Sequence, residues 1–245
     1  MANASRDTFE TRNIDLTRRM GEDPHVRNVT REWVHAVLPF EYHYHFSWMG
    51  VPVIQFPSDI VAMQELIWDV KPDLIIETGI ARGGSLVLYA SMLQLLGGDG
   101  LVVGVDIDIR EHAREAIKSH TLADRIVMIP GSSVAEDTIR EVSRYAKGRQ
   151  RVLVVLDSNH TQEHVAAELQ SYSQFVTPGS YIVVFDTVID DLPDHFHEGR
   201  PWKAGRGPKI AVHDFLATHP EFSIDRTYED KLLVTVAPDG FLRRT

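Results

Sequence analysis

The strongest constraint on the fold is a unit that the chain repeats between residues 72 and 188. Each unit has a short run rich in Val, Ile and Leu, then a loop containing Gly or Ser, then a segment with apolar residues near helical spacing. Such alternation predicts a parallel β-sheet with crossover helices, and the unbroken apolar runs are typical of strands covered on both faces. The predicted strands are 74–77, 101–106, 125–129, 152–157 and 181–186, and the predicted helices are 85–96, 110–120, 134–147 and 161–175.

The region before these units is less regular. Its pattern predicts one helix at 7–18 and another that begins at residue 58 or 59 and ends at 70, with an aromatic and histidine-rich piece, EYHYHFSWMG, between them. We expect residues 1–70 to form an N-terminal appendage or lid on an α/β domain of residues 71–245.

The region after the repeated units begins with a loop of nineteen residues, 189–207, rich in Pro, Gly, His and Asp. Connections this long are usually functional lids or disordered segments. Residues 209–219 predict a helix, and residues 222–226 and 232–237 predict two short strands. These strands would complete a seven-stranded, mostly parallel sheet with one reversed strand, which is a Rossmann-like α/β architecture.

Composition excludes several classes of function. With 25 Lys+Arg against 35 Asp+Glu, the formal net charge of −10 argues against a nucleic-acid partner, which requires a basic face. The absence of cysteine excludes disulfides, thiolate catalysis and cysteine-ligated metal sites. No run approaches the roughly 18 apolar residues of a membrane-spanning helix, and the N-terminus lacks the apolar stretch of a secretory signal. We therefore expect a cytoplasmic protein with no membrane span.

The first predicted strand runs into a glycine-rich loop, LIIETGIARGGS. Glu77 lies at the carboxyl end of this strand, Gly79 follows it, and Gly83 comes just before the next helix. Ligands of open α/β sheets bind outside the carboxyl ends of the strands, where glycines allow close approach of the backbone. The loop is typical of a nucleotide site although it is not GxGxxG; the alternative is a plain glycine-rich turn without a ligand.

Two further strand ends could border the same ligand. Asp106 ends the second predicted strand 27 residues after Gly79, close to the position of a carboxylate that accepts ribose hydroxyls. An aspartate there could equally cap the following loop. Ser132 and Ser133 follow the third strand, and they could border an adenine or cap the next helix.

The fourth and fifth strands end at Asp157 and Asp186, and His160 follows three residues after Asp157. If these strands are neighbours, the two carboxylates could bind one divalent cation, and oxygen ligands suit Mg²⁺. His160 could then act as the base that takes a proton from a hydroxyl whose acidity the metal raises. The alternative is that Asp157 caps the helix and His160 forms a local hydrogen bond.

Two histidine pairs, His43 with His45 and His195 with His197, alternate in sequence and would share one side of an extended chain. A zinc site is one interpretation of each pair, but a substrate-facing lid or a hydrogen-bonded surface fits better because no helical HxxxH and no cysteine accompanies them. Nearby aromatic residues could give flat apolar walls to a sugar ring or could simply fill a core: Tyr44, Trp48 and Trp202.

Five segments together resemble the cephalosporin hydroxylase and rhamnosyl O-methyltransferase family, relatives of the macrolide-sugar O-methyltransferases. These segments are WMGVPVIQFPSD, ETGIARGGS, LDSNH, VVFDT and the terminal DGFLRR, and the resemblance covers most of the chain from about residue 40. It implies a class I methyltransferase fold, S-adenosylmethionine (SAM) as cofactor, Mg²⁺ and self-association into a homo-oligomer. Members of the family modify hydroxyls of sugars or natural products, so a small-molecule acceptor is expected.

The resemblance also implies a role for each matched residue. Glu77 and Gly79 would line the methionine end of the cofactor, Asp106 would hold the ribose, and Asp157 and Asp186 would bind the metal. His160 would be the base, with Asp157 beside it in the catalytic group. The remaining cofactor residues would be Arg82, Gly83 and Ser85 along the loop and Ser132 near the adenine.

One position departs from the family pattern. The fifth strand of the family often ends in Glu-Asp, and both residues can serve the cation, whereas here Phe185 stands in the first position. Losing a carboxylate lowers the charge of the ligand set, so metal affinity would fall, another group would substitute, or the reaction would run without metal.

These observations predict a SAM-dependent O-methyltransferase that acts on a hydroxyl of a sugar or another small natural product. Two alternatives remain at this point. The same sheet could serve a nicotinamide-dependent oxidoreductase, although the missing GxGxxG argues against it. The chain could also bind the cofactor without catalysis and support a partner enzyme. Phe185 makes this alternative possible, because it replaces a carboxylate that can serve the cation.

Overall fold

The computed structural model describes residues 2–202 and 205–245, with side chains from residue 8 onward. The chain begins with two helices, α1 (Ala2–Glu22) and α2 (Pro24–Val37). Asp23 caps α2, because its carboxylate accepts hydrogen bonds from the backbone amides of His25 and Val26. The predicted helix at 7–18 lies within α1, whereas α2 was not predicted.

The aromatic and histidine-rich piece folds into short 3₁₀ turns at Leu38–Phe40 and Tyr42–Tyr44 and then a hairpin. Strands β1 (Phe46–Trp48) and β2 (Val51–Val53) pair antiparallel in this hairpin. The helix α3 (Pro57–Val70) follows and agrees with the predicted helix that ends at residue 70.

A seven-stranded sheet forms the centre of the molecule. From one edge to the other its order is β5-β4-β3-β6-β7-β9-β8, with the first five strands parallel and β9 antiparallel to both neighbours. The prediction of a mostly parallel sheet with one reversed strand is therefore confirmed. The strands are β3 (Leu74–Thr78), β4 (Leu101–Asp106), β5 (Ile126–Pro130), β6 (Val152–Leu156), β7 (Tyr181–Val184), β8 (Phe222–Ile224) and β9 (Phe241–Arg244).

Helices cover both faces of this sheet, and two apolar cores form beneath them. Every residue of β3, β6 and β7 is buried, which explains the unbroken apolar runs in the sequence. The helices are α4 (Gly84–Leu96), α5 (Glu111–Lys118), α6 (Glu136–Ala146), α7 (Gln162–Tyr172), α8 (Pro208–Leu216) and α9 (Arg226–Leu232).

The strand order creates the crevice that a ligand would use. From β3 the chain proceeds outward through β4 and β5, and it then returns to the other side of β3 with β6 and β7. The connections that follow β3 and β6 therefore diverge at the carboxyl edge of the sheet. In open α/β sheets, ligands bind at such a switch point.

The predicted strand at 232–237 is wrong. Residues Arg226–Leu232 form α9, which Asp225 caps by accepting a hydrogen bond from the amide of Thr227, and the reversed strand is β9. Thr235 and Val236 of the predicted strand are buried for another reason: the Asp59 carboxyl group accepts hydrogen bonds from the Thr235 hydroxyl and the backbone amide of Val236. A side chain on α3, rather than a strand partner, anchors this segment.

The long connection after β7 contains 3₁₀ turns at Thr187–Asp191 and Asp194–His197. Part of the predicted loop, residues 203 and 204, lies outside the described residues. Among the helices that the structure describes, none combines the length and apolar character that crossing a bilayer requires.

Candidate active site

A cavity of about 690 Å³ opens at the carboxyl edge of the sheet, beside β3, β4 and β6. A smaller pocket adjoins it at the start of α4 and contains Gly83 and Ser85. The fold thus brings together loops that are far apart in sequence. Five of the residues predicted to bind cofactor or metal line the larger cavity: Gly79, Arg82, Asp106, Ser132 and Asp157.

Gly79 is required by the close approach of two strands. Its φ is +89°, and a Cβ at this position would lie 1.9 Å from the carbonyl oxygen of Asp157. No other residue type fits between the ends of β3 and β6. The loop after Gly79 therefore stays close to Asp157 and borders the cavity with backbone atoms.

Asp106 at the end of β4 organises this loop. One carboxylate oxygen accepts hydrogen bonds from the amides of Ile80 (2.8 Å) and Ala81 (3.3 Å), and the other accepts from the amide of Asp108 (2.9 Å). A carboxylate has about four acceptor sites. Asp106 therefore caps the loop, as one sequence interpretation held, and keeps room for a further donor from the cavity.

Glu77 lies fully buried below the loop, where Ser85 Oγ donates a hydrogen bond of 2.7 Å to its Oε2. Burial raises the pKa of Glu77 to about 8; the Ser85 hydrogen bond opposes the shift, and the charge of Asp106 adds to it. Its other oxygen has no hydrogen-bond partner within the described chain. At neutral pH Glu77 is therefore mainly a neutral acid with unused hydrogen-bonding capacity.

Asp157, His160 and Asp186 come together at the end of β6 and β7. One ligand atom of each lies within 4.8 Å of the others, and His160 Nδ1 is 3.1 Å from Asp186 Oδ2. Burial, and after it the charge of Asp186, raises the pKa of Asp157 well above its ordinary value. Two repelling carboxylates at one point are stabilised by a cation, and Mg²⁺ commonly takes one or two carboxylates with water completing its shell. The donor set fits such an ion.

Phe185 takes no part in this group. Its side chain is 1% exposed and belongs to the apolar core. The backbone amide of Phe185 donates to the carbonyl oxygen of Leu156, continuing the link between β7 and β6. The position that often carries a glutamate in the family therefore faces the core here and offers no ligand atom.

The connection after β7 lies over the three residues. The Trp202 and His160 rings are nearly perpendicular, with centroids 5.0 Å apart, and the Arg200 guanidinium lies 5.5 Å from the Trp202 ring centroid. From the other side, His43 is near enough to Asp186 for their charges to interact, while burial lowers the pKa of His43. An acceptor approaching His160 would meet this aromatic and basic wall.

Neither histidine pair forms a metal site with a third ligand in the part of the chain that the structure describes. His43 lies in a 3₁₀ turn rather than an extended segment and packs near Phe56. His197 Nε2 contacts the Leu192 carbonyl oxygen at 3.3 Å. The geometry that would place each pair on one side of a strand is absent from both segments.

A buried network below the cavity was not predicted. Glu168 on α7 is fully buried, accepts a hydrogen bond of 2.6 Å from Ser158 Oγ and lies 3.4 Å from His164 Nε2. His164 also contacts Ser133 Oγ at 3.0 Å. The network joins the loop after Asp157 to the loop after β5, so one carboxyl group fixes two walls of the cavity. A glutamate on an otherwise apolar helix face is the sequence signal that could have found it.

Comparisons with known proteins agree with this architecture. Residues 40–245 match the family Rhamnosyl O-methyltransferase/CmcI. A rhamnosyl O-methyltransferase from Mycobacterium leprae is 28% identical over 200 residues, which cover 81% of this chain and 82% of that protein. One from Mycobacterium tuberculosis is 29% identical over 201 residues, which cover 81% and 78%.

Solved structures share the fold at lower sequence identity. A structure of CmcI with Mg and SAM has a TM-score of 0.61 at 17% identity and covers 82% of this chain and 77% of that one. An O-methyltransferase from Bacillus cereus in complex with SAH has a TM-score of 0.54 at 17% identity and covers 80% and 81%.

The chain is a SAM-dependent methyltransferase with a Rossmann-like fold. This conclusion follows from the order of the sheet, the glycine loop and the crevice, together with the family match. More narrowly, the chain belongs to the Rhamnosyl O-methyltransferase/CmcI family. The family resemblance and the enzyme class expected from sequence are confirmed, and the oxidoreductase alternative is set aside.

Proposed function

We propose that this protein transfers the methyl group of SAM to a hydroxyl of a sugar or another small natural product, assisted by a divalent cation. The observation that carries the proposal is the convergence of Asp157, His160 and Asp186 at the end of β6 and β7, with Asp157 also lining the glycine-loop cavity. A proton acceptor and a cation site thus adjoin the space for a nucleoside.

The cofactor would occupy the larger cavity. Asp106 would accept a ribose hydroxyl at its remaining acceptor site, and Gly79 and Arg82 would border the nucleoside. Ser132 would lie near the adenine. The methionine end would extend toward Gly83 and Ser85 in the smaller pocket, above the buried Glu77. The unpaired Glu77 oxygen is the feature of this structure that a polar ligand would satisfy.

His160 is placed to remove the hydroxyl proton. Because Asp186 lies 3.1 Å from Nδ1, a neutral imidazole would donate from Nδ1 and keep Nε2 free to accept. A cation held by Asp157 and Asp186 would lower the pKa of the acceptor hydroxyl. SAM, when bound, would supply the methyl group: a C–O bond would form as the C–S bond broke, and the electron pair of the C–S bond would stay on sulfur. His160 would take the hydroxyl proton.

The acceptor class rests on the names of the mycobacterial relatives, which are rhamnosyl O-methyltransferases. The wall over His160 supports a sugar, since the Trp202 ring would offer an apolar surface beside His160 and Arg200 would offer hydrogen-bond donors.

Mass spectrometry of acceptors tests the proposal. The protein, SAM and Mg²⁺ would be incubated with rhamnosides, other glycosides and small phenols, and each product examined for a gain of one methyl group. We expect a gain on at least one sugar hydroxyl, absent with Asp157→Asn. Saturable cofactor binding without any methylated product across the panel would favour the non-catalytic alternative.

A further inference from the structure

Gln55 stands out among the residues that the mechanism has not used. It lies between β2 and α3, is 2% exposed, and has no hydrogen-bond partner for either side-chain amide atom in the described chain. Buried polar groups are almost always paired, so an unpaired amide beside a pocket indicates a ligand contact.

The neighbourhood of Gln55 contains further unpaired polar atoms. The Tyr89 hydroxyl lies close enough to both Gln55 and Glu77 to interact with their polar atoms. Neither that hydroxyl nor Glu77 Oε1 forms a hydrogen bond of acceptable geometry with any described residue. Three side chains from three elements thus present polar atoms to one buried region.

The fold holds Gln55 close to the start of α4. A Cβ at position 84 would lie 2.2 Å from the carbonyl oxygen of Pro52, so only glycine allows the hairpin to pack against the helix. This contact fixes the segment after β2 beside the loop that follows Gly79. Gln55 and Ser85 consequently line the same pocket.

This pocket is suited to a group that carries both charges. Its lining includes the first residues of the thirteen-residue helix α4, whose amides carry partial positive charge, and it also includes Asp157. It shares Gly79, Arg82 and Asp157 with the larger cavity. An amino acid attached to a nucleoside meets this description, with its carboxylate toward donors and its ammonium toward carboxyl groups.

We propose that Gln55 is a specificity residue whose side-chain amide donates a hydrogen bond to the carboxylate at the amino-acid end of the cofactor. The inference rests on the proposed function, because it assumes that the nucleoside occupies the adjoining cavity. Gln55 distinguishes a complete cofactor from one that lacks the carboxylate.

Calorimetry with two ligands tests this role. One ligand is S-adenosylhomocysteine, and the other is its decarboxylated analogue, which keeps the nucleoside, the sulfur and the amine. In Gln55→Leu we expect the affinity for S-adenosylhomocysteine to fall about 10- to 100-fold, the range for a hydrogen bond to a charged group. The affinity for the decarboxylated analogue should stay unchanged.

Two further variants guard against a folding artefact. Gln55→Glu keeps the size of the side chain but places an acceptor against the carboxylate, so it should also weaken S-adenosylhomocysteine selectively. Gln170→Leu makes the same substitution as the first variant on the exposed face of α7 and should change neither ligand. Thermal unfolding of each variant reports whether the fold persists.

Equal weakening of both ligands in Gln55→Leu would overturn the inference and give Gln55 a structural role. Unchanged affinity for S-adenosylhomocysteine in that variant would overturn it as well, while the methyltransferase proposal would stand. If the unmodified protein bound neither ligand, the proposed function and the inference would fail together.

Discussion

The role proposed for His160 depends on a single contact, the 3.1 Å approach of its Nδ1 to Asp186. We expect His160→Ala to keep its affinity for S-adenosylhomocysteine, because His160 is not among the residues that line the larger cavity, where we propose that the nucleoside binds. Turnover should fall by about 10²–10⁴-fold, the usual contribution of a positioned base. Steady-state kinetics with an acceptor that the unmodified protein methylates, alongside calorimetry, checks both parts.

His213→Ala is the matched control for this variant. His213 Nε2 also lies 3.1 Å from a carboxylate, that of Asp239, but it lies on α8 away from the cavity. Its removal should leave turnover unchanged. If His160→Ala turned over at the rate of the unmodified protein, His160 would have no place in the mechanism.

The proposed cation site leads to a second prediction for individual residues. Chelation with EDTA should lower turnover strongly, and added Mg²⁺ should restore it, since Asp157 and Asp186 repel each other without a cation. Asp186→Asn should lose most of this response because it removes one ligand charge. Turnover that EDTA does not change would show that the reaction proceeds without metal. It would also indicate that the metal site is not functional with Phe185 in the position where the family often has a glutamate.

At the scale of elements, Asp59 ties the start of α3 to the C-terminal segment before β9. Its carboxyl group is fully buried, and burial raises its pKa to about 7 from 3.8. The folded protein therefore binds a proton that the unfolded chain releases above pH 4. Stability from this group is fully present below the unfolded pKa and declines as pH rises toward 7.

Asp59→Asn should remove this pH dependence. Its free energy of unfolding, minus that of the unmodified protein, should rise with pH by up to about 1.4 kcal/mol per unit between pH 4 and 7 and level off above. Denaturant titrations at several pH values measure the difference. A difference that stays flat over this range would mean that Asp59 is ionised in the folded protein.

Local sequence predicted some elements much better than others. The parallel strands were found because burial on both faces leaves unbroken apolar runs, as in β3 and β6. The prediction of a strand at 232–237 was wrong because Val234, Thr235 and Val236 are β-branched, as strand residues often are. Thr235 and Val236 are instead held by Asp59, which is 176 residues away in sequence from Thr235. The start of helix α2 could have been predicted from Asp23 followed by Pro24, a helix N-cap pattern, although the spacing of apolar residues did not indicate the helix.

Local sequence likewise predicted some residues of the candidate site and missed others. Asp157, His160 and Asp186 could be predicted because each follows the end of a strand, and the sheet brings such ends together. Gln55 and Glu168 could not, since Gln55 reaches its pocket only through the packing of the hairpin on α4, and Glu168 meets Ser158 and His164 only in the folded chain.

At the scale of the whole molecule, the cavity joins elements from both sides of the strand switch, so a ligand should stabilise the entire sheet. S-adenosylhomocysteine at 100 times its Kd should add about 2.7 kcal/mol to the free energy of unfolding. For a chain of this size that raises Tm by about 5–10 °C. Differential scanning calorimetry with and without ligand measures the shift, and an unchanged Tm under these conditions would contradict binding to the folded state.

We propose that carboxylates at the strand ends gather around one site for a sulfonium nucleoside. Isothermal titration of S-adenosylhomocysteine into the unmodified protein and Asp106→Ala tests this arrangement, with Asp124→Ala as an exposed control. We expect saturable binding to the unmodified protein and the control, and affinity lower by about 10- to 100-fold in Asp106→Ala. Without saturable binding to the unmodified protein, or with equal affinity in Asp106→Ala, the proposed arrangement would be wrong.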